Sequence, residues 1–339
     1  MKYFFIFLFT ISINAQILPS QQGSHYKKTA IQMLPGSRTF NNCGKTGSTG
    51  PSQSDCNTAY ASSALNGEVT VTSGIQYWTV PANGTYTITA VGATAGNESE
   101  TNVKVGLPAK IIGTFSLTQG DVIKILVGQH GWKASCRPGW GAGGGTFVTK
   151  NDNTILVIAG GAGSGHTSFH GTYSYQNANT GESGNSDSKT HNGGTGGGGG
   201  DGSSSGGSGA GYSGNGTTGH GRVYQACAGV PGAHTVPQSF LNGGVGDVIG
   251  GGFGGGGGVT STWGGGGGGY SGGGGAKSSS PYNGAGGGSK NNGTSQTNSL
   301  SDNDLKDMGN ENTVVDQVKK LAKLASDMNV GIVCSGHEA

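Results

Sequence analysis

Between Gly243 and Gly275 the chain reads GGVGDVIGGGFGGGGGVTSTWGGGGGGYSGGGG. Apart from Val245, Val248, Ile249, Phe253, Val259, Trp263 and Tyr270, it offers almost nothing large enough to fill a hydrophobic core. Ordering glycine costs more backbone entropy than ordering any other residue, so runs of this kind are normally flexible spacers. A second reading competes with that one. Single apolar or aromatic residues, not Ser, Glu or Lys, interrupt the runs Gly254–Gly258, Gly264–Gly269 and Gly272–Gly275. A polyproline-II-like helix has about three residues per turn and no internal hydrogen bonds, so its backbone groups point outward. Helices of bare glycine can approach closely and bond to one another, with Cα–H···O contacts as a secondary gain. Their aromatic interruptions would then be buried where such a bundle meets a conventional core. Composition allows both readings.

The chain has 339 residues, of which 74 are Gly and 11% are charged, against about a quarter charged in ordinary globular proteins. A net charge of +2 gives no electrostatic case for nucleic acid or a membrane surface. Disordered chains combine low hydrophobicity with high charge. This chain is low in both. Residues 1–15, opening MKYFFIFLFTISINA, have the layout of a secretory signal peptide and are too short to span a bilayer. No later run approaches ~20 continuous apolar residues, so a membrane is expected only through a missing C-terminal segment. Secretion implies an oxidising compartment, where five cysteines read as disulfides plus one left over.

Residues 16–39 form a polar leader. Cys43 and Cys56 enclose a short Gly/Pro/Ser loop, a spacing suited to a local disulfide. Strand-like runs follow at Glu68–Thr72, Gly74–Val80, Thr85–Val91, Lys110–Leu117, Val122–Val127, Thr146–Thr149 and Thr154–Ala159. Hairpin turns are expected at Pro81–Gly84, Thr118–Asp121 and Lys150–Asn153. Short β-branched and aromatic strands at this spacing argue for an all-β antiparallel sandwich. Glycine segments lie between and after them, at Gly141–Gly145, Gly160–Gly165, Gly193–Gly211 and Gly243–Gly275. Residues 289–312 read as a polar linker. In 313–339, Val314, Val318, Leu321, Ala322, Ala325 and Met328 have helical spacing, and the tail carries a strand-like run with Cys334.

The stretches FNNCGKTGSTGPSQSDCNTAY, GIQYWTVPANGTYTITAVGATAG, IIGTFSLTQGDVIKILVGQHG, GWGAGGGTFV with ILVIAGGAGSG, and GGFGGGGGVTSTWGGGGGGYSGG occur in the order of a known receptor region. Residues 40–288 resemble the extracellular glycine-rich, ligand-binding domain of the anaplastic lymphoma kinase and leukocyte tyrosine kinase receptors. The resemblance implies a tumour-necrosis-factor-like jelly roll with inserted polyglycine helices. It also implies a cell-surface or secreted location and a protein ligand that drives receptor dimerisation. The departures carry information too. The EGF-like module, transmembrane helix and kinase of those receptors do not follow here. The family's cysteine near the place of Val259 is missing, as is the second cysteine shortly after Cys136. Cys136 and Cys227 are thereby left as orphans that pair with each other, and Cys334 has no partner.

The chemistry expected of these residues is none. Gly44-Lys45-Thr46 resembles the end of a phosphate loop, but Thr39 stands where the motif needs glycine. The segment Gly160–Gly165 resembles a dinucleotide loop, but His166 replaces its final Gly and no helix pattern follows. No H-R-D or D-F-G is present. His166 and His170, four apart, lie in a Gly/Ser loop and read as surface histidines. No cofactor, metal or catalytic residue is expected. Asn83, Asn97, Asn215 and Asn292 satisfy the glycosylation sequon. Trp132 and Trp140, beside Cys136, are the candidates for an exposed contact with a protein ligand or surface partner. The rival readings are an extracellular structural or adhesive protein that self-associates through glycine helices, and the N-terminal fragment of a transmembrane receptor tyrosine kinase.

Overall fold

The computed structural model describes residues 37–96, 106–132, 140–165, 174–187, 190–202, 206–219, 235–259, 263–277, 282–301 and 330–335. In it the seven β-rich runs become β2 (Val69–Thr72), β3 (Ile75–Thr79), β4 (Gly84–Val91), β5 (Ala109–Leu117), β6 (Val122–Leu126), β7 (Thr146–Lys150) and β8 (Ile155–Ala159). Each end falls within a single residue of the run read from the sequence. Four more strands join them: β1 (Arg38–Phe40), β9 (Lys290–Asn291), β10 (Thr294–Leu300) and β11 (Val330–Ser335). Five strands form one sheet in the order β1-β11-β4-β5-β10, and six form the other in the order β2-β3-β6-β7-β8-β9.

The chain is an all-β sandwich. Alternate side chains of β4 (Tyr86, Ile88, Ala90) and β5 (Ala109, Ile111, Phe115, Leu117) meet Trp78, Ile123, Ile125, Val148 and Val157 of the opposing sheet in the main core. Phe40, Trp78 and Tyr86 make successive edge-to-face ring pairs at 6.1 and 6.2 Å, each adding about 0.5–1.5 kcal/mol beyond simple burial.

The turn signals predicted reversals correctly, but two of the three hairpins are not hairpins. Only β7 and β8 pair across their turn. β3 pairs with β2 and β6, while β4 pairs with β5 and β11. The turns 81–84 and 118–121 therefore carry the chain from one sheet to the other. They stack on one another, with Val80 N–H donating to Asp121 O and Gly120 N–H donating to Val80 O. Turn chemistry reports that the chain reverses and is silent about which sheet receives it. The tight hairpin is β2–β3, where Ser73 and Gly74 both have positive φ (49° and 80°). That is the backbone a two-residue turn of this hand requires.

The expected segment boundaries are corrected at two places, and the expected tail strand is present. The polar leader ends in strand β1, so order begins before residue 40. Residues 290–300 are not linker. β9 pairs with β8 and β10 with β5, so the chain crosses between the sheets at residues 292–293. Asn291 secures the crossing by donating to Ile112 O and to Asn298 Oδ1, both at 2.8 Å. The tail strand β11 lies between β1 and β4 and is parallel to both, a local exception to antiparallel order. The expected signal peptide at 1–15 and the helix within 313–328 fall outside the described residues.

The glycine segments are bonded to each other through their backbones. The N–H groups of Gly266, Gly267 and Gly268 donate to Gly207, Ala285 and Gly143, and their carbonyls accept from Gly257, Gly273 and Gly161. Three successive residues thus engage six different stretches of chain. The connections repeat every third residue: Gly264, Gly267 and Tyr270 donate to Tyr282, Ala285 and Gly288. Each of these backbone groups is directed to a neighbouring segment of chain. Nothing larger than a hydrogen fits at the points of closest approach. A methyl on Gly267 would lie 2.2 Å from Gly161 O, and one on Gly268 would lie 2.0 Å from Gly254 O.

The aromatic interruptions fasten this layer to the sandwich. Ile75, Leu126, Phe147 and Ile158 point away from the main core, on the outer face of the six-stranded sheet, and are packed by Phe240 and Phe253 with Tyr212 and Tyr270 alongside. Phe147, Phe240, Tyr212 and Tyr270 form a stacked series at 5.0, 5.7 and 6.4 Å. Burial pushes the Tyr212 hydroxyl above its ordinary pKa, helped by nearby Asp152, and that hydroxyl donates to Asn153 O at 2.6 Å. Both faces of β7 and β8 are covered as a result, which explains why TILVIA reads as a continuous apolar run.

At one end of the sandwich Glu68 joins the two sheets. Arg38 donates to both its oxygens at 3.0 and 3.1 Å, and Trp78 Nε1 donates at 3.1 Å. The Arg38 hydrogen bonds hold the Glu68 carboxyl below its ordinary pKa, against a smaller opposing effect of partial burial.

Three outcomes follow for stability. Gly268→Ala should lose at least about 3 kcal/mol in urea denaturation, because a backbone carbonyl cannot yield to the methyl. Gly181→Ala, whose methyl would meet nothing nearer than Asn179 Oδ1 at 3.4 Å, should stay within about 0.5 kcal/mol of wild type. Since the Glu68 pKa is depressed on folding, its contribution is complete above the unfolded value of about 4.3 and is lost as pH falls through the folded value. Glu68→Gln should therefore flatten the acid side of the Tm-against-pH curve.

Candidate recognition surface

The first cysteine pair closes as the spacing suggested. Cys43 and Cys56 form a disulfide with Cα atoms 4.8 Å apart. Cys56 sits in the helix α1 (Gln53–Ala59), whose first turn is fixed by a reciprocal cap between Ser52 and Asp55. The Ser52 amide holds the Asp55 carboxyl below its ordinary pKa, with the Ser52 hydroxyl adding to the effect. Cys136, Cys227 and Asn97 fall outside the described residues. So does the side chain of Cys334, whose backbone lies in β11 opposite Phe40 and Ala90.

The two candidate tryptophans part company. Trp140 is 1% exposed and its ring packs on Gly96, where an added methyl would meet Cε3 at 2.8 Å. Its expected exposure is thereby corrected. Close packing of glycine segments buries a ring that an ordinary loop would leave in water. Trp132 is half-buried. It rests on Ile249 and Val259 beside Val248, a small apolar cluster separate from both larger cores. Its backbone is pinned on each side, with its N–H donating to Gly250 O at 2.8 Å and its carbonyl accepting from Gly141 at 3.2 Å. Its indole Nε1 is buried and has no partner among the described residues.

A neighbouring strip extends this cluster along the surface. Val248 N–H donates to Thr235 Oγ1 at 3.1 Å, and Gln238 N–H donates to Val245 O at 2.7 Å. These bonds lay residues 235–242 alongside 245–248. The strip carries Val236 and Leu241, 38% and 46% exposed, which are the large apolar side chains left open among the described residues. Leu241 lies in a short turn whose C-cap, Gly243, has φ 105°. Asn215 holds the strip from below, its Oδ1 accepting from Ser239 N–H and Asn242 Nδ2, both at 2.9 Å. Sequence reasoning did not single out Val236 or Leu241. The only local signal is an apolar pair flanking the polar segment around Ser239, too common to stand out.

Of the other sequons, Asn83 is exposed in an inter-sheet turn, its Oδ1 accepting from Gln119 N–H at 2.7 Å. Asn292 is exposed at the crossing between the sheets, its Nδ2 donating to Ile155 O at 3.0 Å. Among the described residues no group of three or more His, Cys, Asp or Glu gathers as metal ligands do. No described helix is long and apolar enough to cross a membrane. The geometry offers an apolar, partly exposed surface on a rigid support.

Comparison with known proteins bears on what that surface serves. A stretch of 102 residues, 29% of this chain, is 35% identical to the leukocyte tyrosine kinase receptor of Mus musculus. The chain is similar to part of a receptor. The stretch spans 12% of the receptor's length and lies outside its kinase domain. No model of a known protein family matches the chain.

The half-buried state of Trp132 sets an expected ranking. Trp132→Ala should cost about 2 kcal/mol in urea denaturation, below the roughly 3–5 kcal/mol for Trp78→Ala in the main core.

Proposed function

We propose that this chain is an extracellular recognition domain that binds a protein partner and performs no chemistry with the residues present. The reading places it outside the cell, as a secreted or surface-displayed protein resembling the ligand-binding part of a receptor tyrosine kinase. The jelly-roll form of the sandwich and the polyproline-II character of the glycine layer belong to the same reading. The observation that carries it is the 35% identity to a receptor segment that is not the kinase. Two features of this chain support it. A disulfide closes the N-terminal loop, as suits an oxidising compartment. Trp132 is half-buried in a small apolar cluster with Val248, Ile249 and Val259, and aromatic residues set in apolar surroundings are the usual anchors of protein interfaces. Val236 and Leu241 are exposed on the strip bonded to Val248 through Thr235.

The test measures binding of the purified chain to a panel of secreted and ectodomain proteins, alongside its sedimentation behaviour. A saturable one-to-one partner is expected, with affinity reduced at least about ten-fold by Trp132→Ala, measured at a temperature at which the variant is still folded. Open-ended, concentration-dependent growth of the chain alone, without any saturable partner, would overturn this reading in favour of a structural or adhesive protein.

A further inference from the structure

Strand β2 is an edge of the six-stranded sheet, and a free edge offers unpaired donors and acceptors to any passing strand. Here one side chain closes it. Gln53, at the start of α1, donates from Nε2 to Val69 O at 3.0 Å and accepts at Oε1 from Val71 N–H at 2.7 Å. β2 pairs with β3 through Thr70↔Tyr77 and Thr72↔Ile75 across a two-residue turn, so the backbone groups of Val69 and Val71 face outward. The amide of Gln53 takes the two positions that a neighbouring strand would take. Nε2 also donates to Asn57 Oδ1, one turn on, at 2.8 Å, which ties the amide to its own helix.

The position of Gln53 depends on α1, a helix of seven residues, too short to persist without tertiary ties. One tie is Tyr60, whose hydroxyl donates to Gln76 Oε1 at 2.7 Å just beyond the C-terminal end. The tie nearer Gln53 is the buried Cys43–Cys56 disulfide. We infer that the β2 edge is a docking site for the β2 edge of a second copy of this chain, held shut by Gln53 and opened by reduction of Cys43–Cys56. The partner follows from the strand itself. Its sequence is VTVT, so two copies laid antiparallel bring no like charges together. With a two-fold axis at Thr70, Val69 of each copy pairs with Val71 of the other. The Val69 carbonyl and Val71 amide now taken by Gln53 are two of the groups such a pair would use. A contact of this kind is self-complementary and closes at the dimer.

The redox step is ordinary thiol–disulfide exchange with a dithiol reductant. A thiolate of the reductant attacks one sulfur, the S–S bond breaks, and the other cysteine leaves as thiolate and takes up a proton. The reductant's second thiol then resolves the mixed disulfide. Two electrons pass to the chain, leaving two cysteine thiols and an oxidised dithiol.

The test compares four forms of the full chain by sedimentation equilibrium and site-resolved amide exchange: oxidised wild type, wild type in dithiothreitol, Cys43→Ser with Cys56→Ser, and oxidised Gln53→Leu. Gln53→Leu keeps the disulfide and removes only the cap, so it decides the matter even where loss of the cysteines impairs folding. Oxidised wild type should be monomeric through this edge, with the Val71 amide protected. The other three should exchange that amide about ten-fold faster at low concentration and dimerise as concentration rises. Adding Val71→Pro removes the outward N–H without touching the β2–β3 ladder and should restore the monomer. The inference is overturned if Gln53→Leu stays monomeric with Val71 still protected, if reduction and the serine pair change neither readout, or if dimers survive Val71→Pro. None of these outcomes bears on the binding of a different protein through Trp132, so this inference and the receptor-like reading fail separately.

Discussion

Backbone-to-backbone hydrogen bonding between segments without side chains is what the rest of this structure depends on. A buried peptide group must be paired, and in a sheet each strand has only two neighbours to pair with. The run around Gly267 has six, three through its N–H groups and three through its carbonyls. That arrangement removes the polar backbone from water as fully as a sheet does, and it lets chains approach to distances that any Cβ would forbid. Dispersion between closely packed main chains and dense backbone hydrogen bonding substitute here for the large side chains of an ordinary core.

Such a layer could not stand alone, because it contributes little apolar area to the hydrophobic effect. Its anchors are the few large residues spaced along it. Phe253 is fully buried, and Phe240, Tyr212 and Tyr270 stack outward from Phe147. The six-stranded sheet is consequently the middle of three layers, with the main core on one face and the glycine layer on the other. This explains the burial of Trp140, while Trp132 stays half-buried.

Much of this was legible in the residues. The strand positions followed from short runs of β-branched and aromatic side chains set between turn residues, and the Cys43–Cys56 bridge followed from its spacing. The interruptions in GGFGGGGG and GGGGGGY raised a packed layer as a rival to a flexible spacer, and composition did not choose between them. What stayed hidden was the pairing. Pro81–Gly84 and Thr118–Asp121 have the chemistry of hairpin turns and serve as arches between sheets, because local preference does not say where a strand finds its partner. Residues 294–300, TSQTNSL, have almost no apolar pattern and still form an edge strand, since pairing to β5 asks only for backbone groups. The surface strip was equally unreadable. The exposure of Val236 and Leu241 follows from how Thr235 ties their strip to Val248 and Asn215 ties it through Ser239, bonds between residues far apart in the chain.

The place of β11 has a consequence for how the protein is made. Residues 330–335 lie between β1 and β4, strands that emerge from the ribosome some hundreds of residues earlier. At about 5–20 residues per second, the nascent polypeptide spends many seconds with both of those strands translated and the slot between them open. The five-stranded sheet is therefore completed only once residue 335 has been translated, and until then the half-built sandwich is a natural client for chaperones that shield unpaired strands.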